Sequence, residues 1–207
     1  MPPNRLLVWQ GIDAWRAEAA GVEVTAGGVR ATGTQLGVVP VPYRLEYRLD
    51  ATASFVTRSF DVEVSGEDWA RRIALAHDGE GGWRCHAEQE GTVELSPPGG
   101  DPATVFGALD CDLEQSPLTN LMPVRRHALH QRPGSVDLLV AWVSVPALGL
   151  EVSRQRYEHL GTKEGRAAVR FTETDSGFTA DLELDEDGFV LSYPGLATRV
   201  GPTLTRP

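Results

Sequence analysis

Asp110 and Asp112, two residues apart, and the adjacent pair Arg125-Arg126 are the side chains best suited to chemistry in this sequence. Two carboxylates on one strand face suit a hard cation or acid-base work on a sugar, whereas paired guanidinium groups suit a carboxylate or phosphate held by parallel hydrogen bonds. No second ligand cluster accompanies the carboxylates, so pairing with arginine is the stronger reading. The expected contact is Asp112 with Arg125 or Arg126, holding the turn that Ser116-Pro117 opens and that Thr119 and Asn120 stabilise through their own backbone hydrogen bonds. Ser116 lacks the Gly-x-Ser-x-Gly elbow of a hydrolase nucleophile. The five histidines show no metal-ligand spacing, and no glycine loop that could cradle phosphate precedes a helix. No catalytic set, metal or cofactor is therefore expected. Cys85 and Cys111 offer neither metal spacing nor a disulfide framework and read as small, partly buried thiols.

A second cation interrupts an apolar run. In Val56-Arg58-Phe60-Val62-Val64, stepping by two puts Arg58 on the apolar face of a strand, where it must snorkel to water, meet a carboxylate or hold a ligand anion. Met122, Val124, Arg126 and Ala128 give the same pattern if Leu121 to Leu129 is extended.

The elements that position these residues are strands. Turn signals recur about every ten residues, at Ala26-Gly27-Gly28, residues 78–82, residues 97–102, Arg132-Pro133-Gly134, Asp175-Ser176-Gly177 and residues 185–188. Between them Tyr43, Leu45, Tyr47 and Leu49 alternate with Arg44, Glu46, Arg48 and Asp50, and Phe178, Ala180, Leu182 and Leu184 alternate with polar residues. Val136 to Val145 is apolar on both alternating sets, which predicts an interior strand covered on both sides and anchored by Trp142. Helix candidates are few: Ile12 to Ala20, uncapped, and Ser65 to Arg72, with Ser65 as a cap. Residues 97–102 read as an exposed hairpin loop, since strand-like alternation resumes at Val105, Gly107 and Leu109. The expectation is one all-β, mainly antiparallel domain over residues 1–207 with little helix.

Composition excludes several partners. A formal charge of −10 disfavours nucleic acid and anionic membrane surfaces. Lys163 is the only lysine, so a cationic site here is a guanidinium site. Asp181, Glu183, Asp185, Glu186 and Asp187 read as the solvated outer face of one hairpin. No window reaches the length of a membrane span, and the first residues lack a signal-peptide apolar core, so a cytoplasmic protein is expected.

Asp-x-Asp-Leu-x-x-Ser-Pro-x-Thr-Asn-x-x-Pro-Val-Arg-Arg, residues 110–126, resembles the signature of the putative glycolipid-binding family of bacterial proteins. Pro42-Tyr43-Arg44-Leu45-Glu46-Tyr47, Val56-Thr57-Arg58, Ala141-Trp142-Val143, Gln155-x-Tyr157, residues 177–182 and Tyr193-Pro194-Gly195-Leu196 follow in the order that family shows. The resemblance implies a single curled β-roll, or open barrel-like sheet, similar to periplasmic lipoprotein carriers, and a lipid ligand. On that reading Arg58 and Arg126 line an apolar cavity and hold a head group. Arg125, Asn120, Asp112 and Trp142 are further ligand contacts, and Arg44 and Tyr157 lie at the mouth. Arg44 also reads as solvated, and Tyr157 as a hydrogen-bonded core residue. The leading expectation is non-enzymatic binding of a glycolipid or other amphiphile. The alternatives are a hydrolase or isomerase of a lipid-like or sugar-phosphate substrate working through Asp110, Asp112 and the arginines, and an assembly module forming homo-oligomers through open sheet edges.

Overall fold

A computed structural model describes residues 4–163, 165–201 and 204–205. The turn-punctuated alternation becomes a run of antiparallel hairpins: β1 (Arg5–Gly11), β2 (Arg16–Thr25), β3 (Gly28–Gly37), β4 (Tyr43–Thr52), β5 (Thr57–Ser65), β6 (Trp69–His77) and β7 (Trp83–Gly91). After a long crossover come β8 (Asp110–Leu113), α1 (Leu121–Arg126), β9 (Ser135–Val143), β10 (Leu150–Lys163), β11 (Arg166–Glu173), β12 (Thr179–Leu184), β13 (Val190–Tyr193), β14 (Ala197–Arg199) and β15 (Leu204–Thr205). One 15-stranded sheet results, in the order β7-β6-β5-β4-β3-β2-β1-β14-β13-β12-β11-β10-β9-β8, with β15 also paired to β1. Among the described residues only β8 and β9 form a parallel strand pair, and the end strands β7 and β8 are not paired with each other, so the sheet is curled but open. None of the described helices is long and apolar enough to cross a membrane.

The curl brings the far edge back over the first half. Thr57, fully buried at the start of β5, accepts the Cys111 amide of β8 at 3.1 Å, and the Thr57 amide reaches the Leu109 carbonyl at 3.0 Å. Residues 97–102 are therefore no hairpin loop. They belong to the crossover: Gly99 bridges Leu148 and Leu150 by backbone hydrogen bonds of 2.8 and 3.0 Å, and Asp101 caps a short 3-10 helix, Pro102–Val105, by accepting the Ala103 amide at 2.9 Å. Val105 and Ala108 are fully buried, so this segment and the signature after it plug the inside of the roll. Leu118, Leu121 and Met122 join the core formed by β1 to β7, while Val124 and Leu129 join the core formed by β10 to β13.

Other expectations need correction. Leu121 to Leu129 is not a strand: its first six residues are helical, and Leu121, Met122, Pro123 and Val124 are buried together, a run that period-two alternation does not describe. Proline early in the helix has its φ preset and lacks an amide that would go unpaired there. Both helix candidates are mostly strand, β2 and the start of β6, because hairpin pairing overrides weak local propensity. β9 is interior in strand order, between β10 and β8, yet only its second half is covered; Ser135 to Leu139 stays partly or fully exposed because the plug reaches no further. Asp185 and Asp187 are not merely solvated: Asp185 accepts from Arg199 at 2.7 Å, and Asp187 pairs with Arg5.

One local device fixes the geometry of the interior. Gly33 faces Tyr47 across β3 and β4, and Gly37 faces Tyr43. A Cβ on Gly33 would lie 2.1 Å from the Tyr47 ring, so the ring lies on the bare glycine backbone, as aromatic residues do over sheet glycines. Gly33→Ala is expected to cost about 1–3 kcal/mol by overpacking, measured as a lowered urea midpoint, because Tyr47 must leave its rotamer. A midpoint equal to wild type would mean that the ring is free to move.

Candidate functional site

From β2, β3 and β4 a set of polar side chains points into the roll, where the plug meets it. Glu18 on β2 is buried and accepts the Tyr47 hydroxyl at 2.6 Å and the Ser116 hydroxyl at 2.7 Å, both on Oε1; its Oε2 has no partner. Burial outweighs these hydrogen bonds and the nearby Arg16, lifting the Glu18 carboxyl from 4.5 to about 7. Tyr43 donates to Gln35 at 2.8 Å, and Arg16 reaches Gln115 at 2.5 Å, Asp13 at 3.1 Å and the Leu196 carbonyl at 2.9 Å.

The signature ties this set to the opposite wall. Asp112 accepts Thr119 Oγ1 at 2.5 Å and Gln155 Nε2 at 2.8 Å, and desolvation lifts its carboxyl from 3.8 to about 6. Tyr157 on β10 donates to Asn120 Oδ1 at 2.9 Å, and the Asn120 amide reaches back to the Ser116 and Pro117 carbonyls at 3.5 Å. The expected Asp112–arginine contact is not formed. Helical geometry swings Arg126 to Asp110 instead, in a two-pronged pair of 2.6 and 2.5 Å whose side chains are 11% and 2% exposed. Arg126 also donates to the Phe55 carbonyl at 2.9 Å, tying the β4–β5 turn to the plug. Arg125, one residue earlier on α1, donates to the Asp187 carbonyl at 3.0 Å and lies over the Phe55 ring at 5.2 Å.

Arg58 does not join Arg126. Ala51 pairs with Thr57 and Asp50 with Ser59, which leaves Arg58 as the extra residue of a β-bulge. The bulge shifts the alternation, so Thr57 turns inward and Arg58 outward, where it is 53% exposed and bonds Asp50 at 3.0 Å. Arg44 is exposed and paired with Glu46 on the same outer face. Trp142 is half-buried between the fully buried Ala141 and Val143. Thus Arg126, Asp112, Asn120 and Tyr157 meet inside the roll with their polar atoms engaged by protein groups, while Arg58 and Arg44 lie on the other side of the sheet. Among the described residues no group of three or more His, Cys, Asp or Glu side chains could hold a metal ion.

The outer face carries a hollow of about 800 Å³ that the sequence reading missed. Its floor is made by small outward residues on two paired strands, Ala19 and Gly21 on β2 facing Thr34 and Thr32 on β3. Leu6 of β1 bounds it on one side and the long side chains of β4 to β6 on the other. Four acids (Glu23, Glu46, Asp61, Glu63) and four arginines (Arg5, Arg30, Arg48, Arg72) ring it, so the trough has no net charge. Arg72 is held by Asp61 at 3.3 Å and Glu63 at 3.6 Å; Arg48 makes no ion pair among the described residues. Arg5, Arg30 and Glu46 are likewise paired, with Asp187, Asp50 and Arg44, so Arg48 and Glu23 are the charged groups left without an ion pair among the described residues, beside a narrow apolar strip. The sequence signal was the run of Ala, Gly and Thr at alternate positions 17 to 21 and 32 to 34, against arginine and glutamate on the next strand.

One solved structure shares this architecture over most of its length. A DUF1089 family protein from Pseudomonas aeruginosa, known from its crystal structure, is 26% identical, with a TM-score of 0.68 over 88% of this chain and 92% of its own. A β-barrel-like protein of a domain of unknown function, DUF1849, from Brucella abortus is 9% identical with a TM-score of 0.48, covering 99% of this chain and 96% of that one. No curated protein matches the sequence significantly. The sequence model of the family described as putative glycolipid-binding matches residues 6–199, from the first strand through the plug and its signature to β14, and the chain belongs to that family.

Proposed function

We propose that the protein binds an amphiphile of the glycolipid type without turning it over, holding a sugar head in the outer trough. The observation that carries this reading is the charge-balanced, partly apolar hollow of about 800 Å³. An anionic head would meet as many carboxylates as guanidinium groups there, whereas a neutral sugar, whose hydroxyls both donate and accept, matches a wall of mixed sign. Thr32, Thr34 and Arg48 supply hydrogen bonds, and Leu6, Ala19 and Gly21 a strip for the first methylenes of a chain. On this reading the interior residues Asp110, Asp112, Asn120, Arg126 and Tyr157 hold the plug, and Arg58 and Arg44 are surface ion pairs.

The test is calorimetric titration with monomeric alkyl glucosides of increasing chain length. Each methylene that reaches the strip should add ~0.8 kcal/mol until the strip is covered. Arg48→Ala should weaken binding by about 1.5–3 kcal/mol, the scale of a hydrogen bond to a charged group. Thr34→Trp, outward on the trough floor, should abolish binding by filling it. Absence of saturable heat, or equal binding by Thr34→Trp, would contradict the reading, and hydrolysis of the glucoside would assign an enzyme.

A further inference from the structure

One rim of the roll exposes an apolar patch for which the trough has no use. Ile12, Trp15, Leu36, Val38 and Val39 are between 40% and 62% exposed. They lie close together because β2 and β3 are paired up to Arg16 and Gly37, and the loops 12–15 and 38–42 leave the sheet side by side from that last rung. The second loop reads Val38-Val39-Pro40-Val41-Pro42, with no charged side chain, and its two prolines carry no amide hydrogen to desolvate. The patch is electrically quiet. Asp13 is held by Arg16 at 3.1 Å, and Arg44, across from Leu36, is paired with Glu46.

We propose that loops 12–15 and 38–42 dock on an uncharged lipid surface, with Trp15, Val38 and Val39 entering its interfacial layer. The occupant follows from charge, shape and area. With no free cation at the patch, the exposed Glu67 and Asp68 in the β5–β6 turn of the same rim and a formal charge of −10, anionic lipids are repelled and a neutral surface is not. A second copy of the chain is disfavoured, because the five side chains expose roughly 500 Å², short of the ~800 Å² per partner of a stable interface. Two protruding tips with an aromatic residue on one and an aliphatic run on the other suit an interface between water and hydrocarbon. Continuity with the trough supports the same choice: the outer face of the β2–β3 hairpin runs from Trp15 and Val38 through Ala17 and Leu36 to Ala19 and Thr34, so a lipid lifted at the rim slides along small residues into the hollow. The inference rests on the proposed amphiphile ligand and names the surface that supplies it.

The experiment is flotation of the full chain with large unilamellar vesicles of phosphatidylcholine, alone and with 30% phosphatidylglycerol as a rough anionic dose. Wild type should float with the neutral vesicles, and the anionic lipid should weaken this or leave it unchanged. Trp15→Ser and Val39→Asp, both at exposed positions, should each reduce flotation about tenfold or more. In wild type, vesicles should shift tryptophan emission to the blue, and Trp15→Phe should remove most of that shift, a readout that needs no disruptive variant. Wild type that stays in the soluble fraction overturns the proposal, as do variants that float equally, a requirement for anionic lipid, or a dimer in sedimentation that Trp15→Ser splits. Octyl glucoside titration separates the two readings. Lost flotation with intact glucoside binding refutes docking alone, and flotation without glucoside binding refutes the trough alone.

Discussion

Replacing Asp110 by asparagine is expected to cost about 3–5 kcal/mol of folding stability, because it leaves a buried guanidinium without its counter-charge. Guanidinium groups as a class keep their charge, so nothing local relieves Arg126. It spans three parts of the molecule, the start of β8, the end of α1 and the Phe55 carbonyl of the β4–β5 turn. Removing the other partner, by Arg126→Met, should cost less, since burial already raises the Asp110 carboxyl and that group can take up a proton. That loss should shrink further as the pH falls, while the Asp110→Asn loss should not. A double-mutant cycle on urea midpoints gives the coupling, and the double variant should be less damaged than the sum of the singles. An Asp110→Asn midpoint equal to wild type would mean that the pair is solvated.

Glu18→Gln is expected to stabilise the protein at pH 8 by about 2–3 kcal/mol relative to its effect at pH 5. The folded carboxyl titrates at about 7 and the ordinary value is 4.5, so between those values the folded state holds more protons than the unfolded one. Stability therefore falls as pH rises through this window and is lowest above about 7, where Glu18 is buried as an anion with Oε2 unpartnered. Glutamine keeps an acceptor for Tyr47 and Ser116 and carries no charge. Its amide inherits the orphaned site at a smaller cost than a carboxylate pays there. Asp112, lifted to about 6, keeps a residual slope of the same sign at lower pH, from about 4 to 6. Parallel stability curves for wild type and Glu18→Gln between pH 5 and 8 would contradict a protonated, buried Glu18.

The hairpins were legible because period-two patterning and turn residues act locally. Tyr43, Leu45, Tyr47 and Leu49 face inward on β4, as their alternation with charged residues predicts. Arg58 meets a carboxylate, Asp50, as one of its expected fates, but it does so on the outer face, because one extra residue in a bulge reverses every inward and outward assignment beyond it and nothing in Val56-Thr57-Arg58-Ser59 marks the insertion. The signature was recognised as a site of buried charge, but its partners were not. A six-residue helix buried on several sides has no clean period, and the choice of Asp110 over Asp112 depends on how the plug crosses the roll. Glu18 and Gln35 each interrupt a buried strand face, but their partners in the loop that holds Gln115 and Ser116 lie 98 and 80 residues away in sequence, and only the curl brings that loop over them. The trough was hidden for the opposite reason: outward alanine, glycine and threonine look like ordinary strand surface until larger side chains stand on both flanks.

Amide chemical-shift mapping by NMR during titration with octyl glucoside locates the bound sugar residue by residue. Binding in the outer trough predicts saturable shifts that cluster on Ala19, Gly21, Thr32, Thr34 and Arg48, its floor and wall, with the plug unmoved. Shifts centred on Asp112, Asn120, Gln155 and Tyr157 would put the ligand inside the roll and contradict it.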